Sequence, residues 1–214
     1  ERSASIPFPM GEALMVEYPG MVKEVVRFFD FQSPNLTVAY EPDEKQFNER
    51  NFYFVDSTYH KVFSLPLVKG NVLTALNNPN SVIISESMAK KYFGDAEPMG
   101  KLLRFQGQTD LLVTGVMHDP RVNSHVQADF LASFSTLRPL FGGQLPNGWY
   151  WNPCWTYLVL DERIQPSDLE AKFPEFLQKH LPAFIKDDVL LKLQAITDIH
   201  LKSHLQFEME ANRS

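Results

Sequence analysis

"SVIISESMAKKYFGDAEPMGKLLRF", residues 81–105, is the stretch whose reading decides the fold. It opens on a short apolar run rich in β-branched residues, the composition of a buried strand. Ser85 then stands where a helix N-cap belongs, because its hydroxyl can accept from a backbone N–H of the first turn. Met88, Tyr92 and Phe93 follow at helical spacing and face a core, and Gly94 is placed to close the helix in the left-handed conformation. Strand, helix and renewed strand within 25 residues argue for mixed α and β structure.

Working outward, residues 101–119 ("KLLRFQGQTDLLVTGVMHD") read as a β-hairpin: two alternating runs part at Gly107 and its polar neighbours. Gly115 inside the second run predicts a bulge or a close backbone approach. Upstream, "NNPNS" (77–81) is a loop. Before it, "GEALMVEYPG" predicts a short helix with Leu14 and Tyr18 on one face, ended by Pro19 and Gly20. Val25, Val26, Phe28, Phe29 and Phe31 then predict a strand, as do "LTVAY" (36–40) and "RNFYFVD" (50–56). "STYHKVFSL" (57–65) reads as a helix capped by Ser57, completing a βα unit.

Downstream, residues 130–153 are irregular and rich in aromatics, Gly and Pro, which suggests a partly helical loop region over the core. "CWTYLVLDE" (154–162) is a strand. A helix follows with Ser167 and Glu170 as a capping box, a buried stripe of Leu169, Phe173, Phe176, Leu177 and Leu181, and a kink at Pro174. "VLLKLQAITDIHL" (189–201) supplies a last strand and an exit segment. Helices mixed with hairpins, without repeats, low-complexity tracts or an obvious linker, place the chain in the α+β class.

Composition bounds the functions open to such a fold. The 214 residues are 44% hydrophobic and 13% aromatic, enough to bury roughly 70% of the unfolded surface in one large domain or two small ones. A net charge of −6 argues against a nucleic-acid surface, whose affinity comes from Lys and Arg on phosphates. The single cysteine, Cys154, excludes an internal disulfide framework and a Cys-rich zinc site; between Pro153 and Trp155 its thiol is expected to be buried. No stretch approaches the roughly 18–20 apolar residues of a membrane span.

Three groups of residues bear on chemistry. His118, Asp119 and His125, with Asn123 among them, follow the second hairpin strand, and the two histidines and the aspartate offer ligands for a metal-dependent hydrolase. Asp119-Pro120 initiates turns, however, and Asn and Ser bond their own backbone, so loop geometry accounts for the same residues. His200 and His204 are four apart with Asp198 nearby, but the glutamate that follows the first histidine of a zincin is missing. Trp149, Trp151 and Trp155 could line the pocket of a ligand-binding module, although such clusters more commonly anchor a core or interface. His60 and His180 sit among charged neighbours and are expected to face solvent. Nucleophile elbows, P-loops and dinucleotide fingerprints are absent, and no catalytic, cofactor or metal residue is assigned.

Taken in order, "EYPGMVKEVVRF" (17–28), "NFYFVDSTYHKVFSLPLVKG" (51–70), residues 81–105, "LLVTGVMHDPRVNSH" (111–125) and "LQAITDIHLKS" (193–203) resemble the extracytoplasmic core domain of MacB-like and FtsX-like ABC transporter permeases. The Gly-x-x-x-Pro-x-Gly-Lys series followed by V-T-G-V and N-S-H carries most of that likeness. It implies a periplasmic domain of an inner-membrane protein, flanked by membrane helices just before Glu1 and soon after Ser214. It further implies a porter-like part built from residues 1–67 and 131–214, with a mainly β, sabre-like part inserted at 68–130. The work implied is mechanical: a cytoplasmic ABC ATPase drives a homodimeric or heterodimeric permease, together with a periplasmic adaptor or outer-membrane partner. The 118–125 loop becomes framework. No cofactor and no enzymatic activity of the domain itself are implied.

Overall fold

A computed structural model describes residues 3–33, 35–121, 124–199, 206 and 209. In chain order the elements are α1 (Met10–Glu17), β1 (Val22–Phe29), β2 (Leu36–Tyr40), β3 (Lys45–Glu49), β4 (Phe52–Val55), β5 (Leu67–Gly70), β6 (Ser81–Ser85) and α2 (Glu86–Phe93). They continue with β7 (Leu102–Phe105), β8 (Thr109–Met117), β9 (Phe130–Ser133), α3 (Leu137–Leu140), β10 (Cys154–Leu160), α4 (Pro166–Glu170) and α5 (Phe173–His180). None of the described helices is long and apolar enough to cross a membrane. Two compact units emerge, one of Glu1–Val25 with Pro146–Ser214 and one of Val26–Leu145.

The first unit is built from both ends of the chain. α1 buries Met10 and Leu14, the start of β1 buries Val22 and Val25, and α4 and α5 bury the predicted stripe of Leu169, Phe173, Phe176, Leu177 and Leu181. Each such side chain contributes about 1.5–3 kcal/mol on leaving water. α1 ends as its sequence dictates, with the Tyr18 N–H donating to the Leu14 oxygen at 3.0 Å just before Pro19. Pro174 does more than kink its helix. Its ring opposes the carbonyl four residues earlier, so the helix stops at Glu170 and restarts at Phe173.

Two expectations for this unit are corrected. The capping box is formed by Gln165 and Asp168, not by Ser167 and Glu170: Pro166 occupies the first helical position, and the Gln165 N–H donates to Asp168 Oδ2 at 2.9 Å. The last strand is not formed by the described residues of 189–201, which carry only a 3-10 turn at Ile196–Asp198. Glu170 takes the Leu193 N–H at 2.8 Å, so a carboxylate and not a strand ladder satisfies that backbone. Cys154 lies at 0% exposure, and its backbone exchanges two bonds with Ile6 at 2.8 and 3.1 Å.

The second unit is a mixed sheet. From the end of β1 its strands run β1-β4-β9-β6-β8-β7-β2-β3, with β5 also on β8. β4 with β9 and β6 with β8 are parallel; the other registered pairs are antiparallel. The central strands β4, β6 and β9 are buried along their whole length, as a sheet covered on both faces requires. β2 instead alternates buried and half-exposed residues. Phenylalanines fill the core: Phe52 stacks on Phe130 at 5.2 Å and meets Phe105 at 4.7 Å.

The strand-helix-hairpin reading of 81–117 holds. Ser85 Oγ accepts from the Met88 N–H at 3.2 Å, and Tyr92 and Phe93 are buried. Gly94 takes φ +62° with ψ −122°, positive as expected though outside the left-handed helical well. The β7–β8 turn closes through Gln108 N–H to the Phe105 oxygen at 3.1 Å, with positive φ at Gln106 and Gly107. β3, β5 and β9 were not anticipated. β3 is polar in sequence and β5 and β9 have four residues each, so only their partners identify them as strands. The helix expected at 57–65 is a 3-10 turn, Ser57–Lys61, preceded by Asp56 and without a side-chain cap. Pro66 disfavours helical geometry in the residue before it, and Asp56 is engaged elsewhere.

Candidate functional site

The loop leaving β8 turns its first polar residues toward the start of α2. His118 Nδ1 lies 2.9 Å from Glu86 Oε2. Asp119 accepts the Ser87 N–H on Oδ1 at 2.9 Å and the Ser87 hydroxyl on Oδ2 at 2.6 Å. Partial burial pushes the Asp119 carboxyl up, but the two Ser87 bonds outweigh it and hold the group below the usual aspartate range. Asp119 is thus a tertiary cap on orphan donors of α2, reinforcing Ser85.

Further along, Gln127 Nε2 donates to the carbonyls of Arg121 and Ser124 at 2.6 and 2.8 Å, and the Ser124 hydroxyl donates to Val126 at 3.1 Å. Val126 and Ala128 are buried beside this turn, and His125 is half-buried. Among the described residues, no three His, Cys, Asp or Glu side chains are grouped to hold one ion. The loop therefore does not gather His118, Asp119 and His125 about a common point. Asn123, His200 and His204 lie outside the described residues.

Two polar constellations carried no local signal in the sequence. Asn51 Nδ2 donates to Asp129 Oδ2 at 2.9 Å, while the Asp129 backbone receives Ser85 N–H and gives its own N–H to Asn51, both at 2.9 Å. Burial raises the Asp129 carboxyl above its usual range, opposed in part by the Asn51 bond. Arg27 on β1 is 5% exposed and grips Asp56: Nε donates to Oδ2 and Nη2 to Oδ1, each at 2.9 Å, with the guanidinium 4.3 Å above the Phe134 ring. Both sets tie strands together, and their partners lie 29 to 78 residues apart.

The tryptophans enter three different surroundings. Trp155 is buried, Trp151 is 44% exposed with its ring 5.4 Å from Phe8, and Trp149 stacks on His180 at 4.3 Å and 15°. His180 is consequently not solvent-facing: its side chain is 19% exposed and its Nε2 bonds Glu17 Oε1. His60 is half-buried, with Nδ1 3.0 Å from the Ser57 carbonyl. Close to the chain ends, Ser3 and Gln206 form a parallel bridge, and the Ala4 N–H donates to the Gln206 oxygen at 2.9 Å.

The geometry defines an α+β module of two units whose loop polar residues frame the fold. A model of the MacB-like periplasmic core domain matches residues 1–175. The chain belongs to that family, the periplasmic domains of MacB- and FtsX-like ABC transporter permeases. Solved structures share the fold. A domain of a protein assigned as a permease from Porphyromonas gingivalis is 21% identical with a TM-score of 0.67, over 92% of this chain and 89% of that one. The extracellular domain of the noncanonic ABC-type transporter YknZ from Gram-positive bacteria is 22% identical with a TM-score of 0.58, over 82% and 84%. The periplasmic region of MacB from Actinobacillus actinomycetemcomitans is 16% identical with a TM-score of 0.51, over 78% and 88%. Among curated proteins none matches the chain in sequence.

Proposed function

We propose that this domain performs mechanical work without bond chemistry of its own, passing movement driven by a cytoplasmic ATPase to a substrate outside the inner membrane. The observation that carries this reading is the bridge between Ser3 and Gln206. Ser3 and Ala4 are held to Gln206, so a displacement delivered at one of these positions is delivered at the other. The organisation of the chain supports it further, since one compact unit contains both ends and the other is an insertion. On this reading residues 1–67 and 131–214 form the porter-like part and residues 68–130 the inserted, sabre-like part, the permease works as a pair of copies, and an adaptor or outer-membrane protein receives the movement. Allosteric transmission requires two packed arrangements that nucleotide binding biases differently.

The test uses the full-length permease with its ATPase in a bilayer. A spin label at Asp95→Cys, a fully exposed position, reports the distance between two copies. Trapping ATP on a hydrolysis-deficient ATPase is expected to shift that distance distribution. Superimposable distributions with and without ATP would remove the proposal.

A further inference from the structure

In the first unit the last residue of α5, His180, is enclosed by groups from three places in the chain. Its ring stacks on Trp149 at 4.3 Å and leans on Phe176 at 4.6 Å. Its Nε2 bonds Glu17, the last residue of α1, which lies 163 positions away in sequence. Lys179 takes the second Glu17 oxygen at 2.9 Å. Among the described residues, the charged and titratable groups about this cluster are Glu17 at the end of α1, Tyr18 just after it, and Glu175 and Lys179 from α5; Trp149 and Phe176 bring no charge.

We propose that His180 is a protonation-sensitive latch that clamps the end of α1 to the end of α5, closed when the imidazole carries a proton and loosened when it does not. Three features of the geometry act in the same direction. An imidazolium gives Glu17 a charge-assisted bond, roughly twice as strong as a neutral one. A cation against the Trp149 face gains attraction from the ring quadrupole. A positive charge at a helix C-terminus is favoured by the helix dipole. Histidine is in general the side chain used as a proton-operated switch, so the clamp is tested by varying the pH around the domain. Glu17 sets the lower limit. Burial raises its carboxyl, but the bonds from Lys179 and His180 prevail and keep it ionised below the usual glutamate range.

Amide hydrogen exchange on the 214-residue chain tests this. The reporters are the Tyr18 N–H, bonded to Leu14 at 3.0 Å, and the Leu181 N–H, bonded to Leu177 at 2.8 Å. After correction for intrinsic exchange, protection at both is expected to be about tenfold higher at pH 5.5 than at pH 8, the difference between a charged and a neutral hydrogen bond. In His180→Gln and in Glu17→Gln the two pH values should give equal protection. Loss of packing alone would lower protection equally at both pH values and leave their ratio unchanged. If His180→Gln fails to fold, Glu17→Gln decides, since it preserves the side chain's size. Equal protection at pH 5.5 and pH 8 in the native chain, or a pH dependence that survives Glu17→Gln, overturns the proposal.

Discussion

Gly70 and Gly115 are cross-strand partners of β5 and β8, and neither leaves room for a side chain. A Cβ on Gly70 would stand 2.5 Å from the Thr114 carbonyl oxygen, and Gly70 itself has φ +94°. One on Gly115 would meet Ile83 Cγ1 at 3.1 Å and Leu67 Cδ1 at 3.3 Å, side-chain atoms that can shift. Urea unfolding should therefore show Gly70→Ala losing about 3 kcal/mol or more, from strain plus a backbone clash. Gly115→Ala should lose about 1 kcal/mol. Equal losses would show that backbone approach at Gly70 is not the constraint.

The Arg27–Asp56 pair is nearly buried, so its two halves are unequal to mutation. Asp56→Ala takes away the carboxylate that receives the guanidinium and the Arg27 N–H, and should cost about 3–5 kcal/mol in chemical denaturation. Arg27→Met, which removes the buried cation itself, should cost clearly less. A larger loss for Arg27→Met would mean that the arginine stem and its stacking on Phe134 dominate.

Tyr59 predicts a loss of stability at alkaline pH. Its ring is fully buried, its hydroxyl finds no hydrogen-bond partner among the described residues, and burial pushes its pKa up to about 12. The folded state then holds this proton above pH 10, where the unfolded chain releases it. Stability falls as pH rises from about 10 to 12, by about 1 kcal/mol per unit. Tyr59→Phe should reduce that slope and, by removing an unpaired buried hydroxyl, raise neutral-pH stability by up to about 1 kcal/mol. Tyr18 and Tyr92 are also shifted upward, so part of the slope remains. An unchanged slope in Tyr59→Phe would refute the assignment.

Asp119 separates a capping role from a metal-binding one. Asp119→Ala and Ser87→Ala should each lower the unfolding midpoint by an amount equivalent to about 1 kcal/mol, and the double variant should lose little more than either single. Added zinc should leave all four midpoints in place. A zinc-dependent rise that disappears in Asp119→Ala would restore the loop as a ligand site.

Much of the fold was legible locally. Apolar periodicity, Ser85 before a helix, Pro19 after one and Pro174 within another each act through atoms a few residues away, so β1, β2, β4, α1, α2 and the β7–β8 hairpin could be read directly. The ordered series from residue 81 to 125 also carried the family. β3, β5 and β9 could not be read this way, because "KQFNE", "LVKG" and "FLAS" become strands only where a neighbouring edge offers hydrogen bonds. The same reason explains why residues 189–199 did not become one: Glu170 claims the Leu193 N–H, and Leu191 and Leu193 pack on the core.

Sequence by itself determined the class, the ends of α1 and α2 and the absence of any complete nucleophile or phosphate-binding motif, since these depend on neighbours along the chain. Tertiary structure alone decided that Asp119 caps α2, that Asp129 meets Asn51, that Arg27 meets Asp56, and that His180 lies between Trp149 and Glu17. Such pairings span 29 to 163 residues. The physical reason is that a charge or hydrogen bond is satisfied by whatever the folded backbone brings within about 3 Å, and separation in sequence places no limit on that.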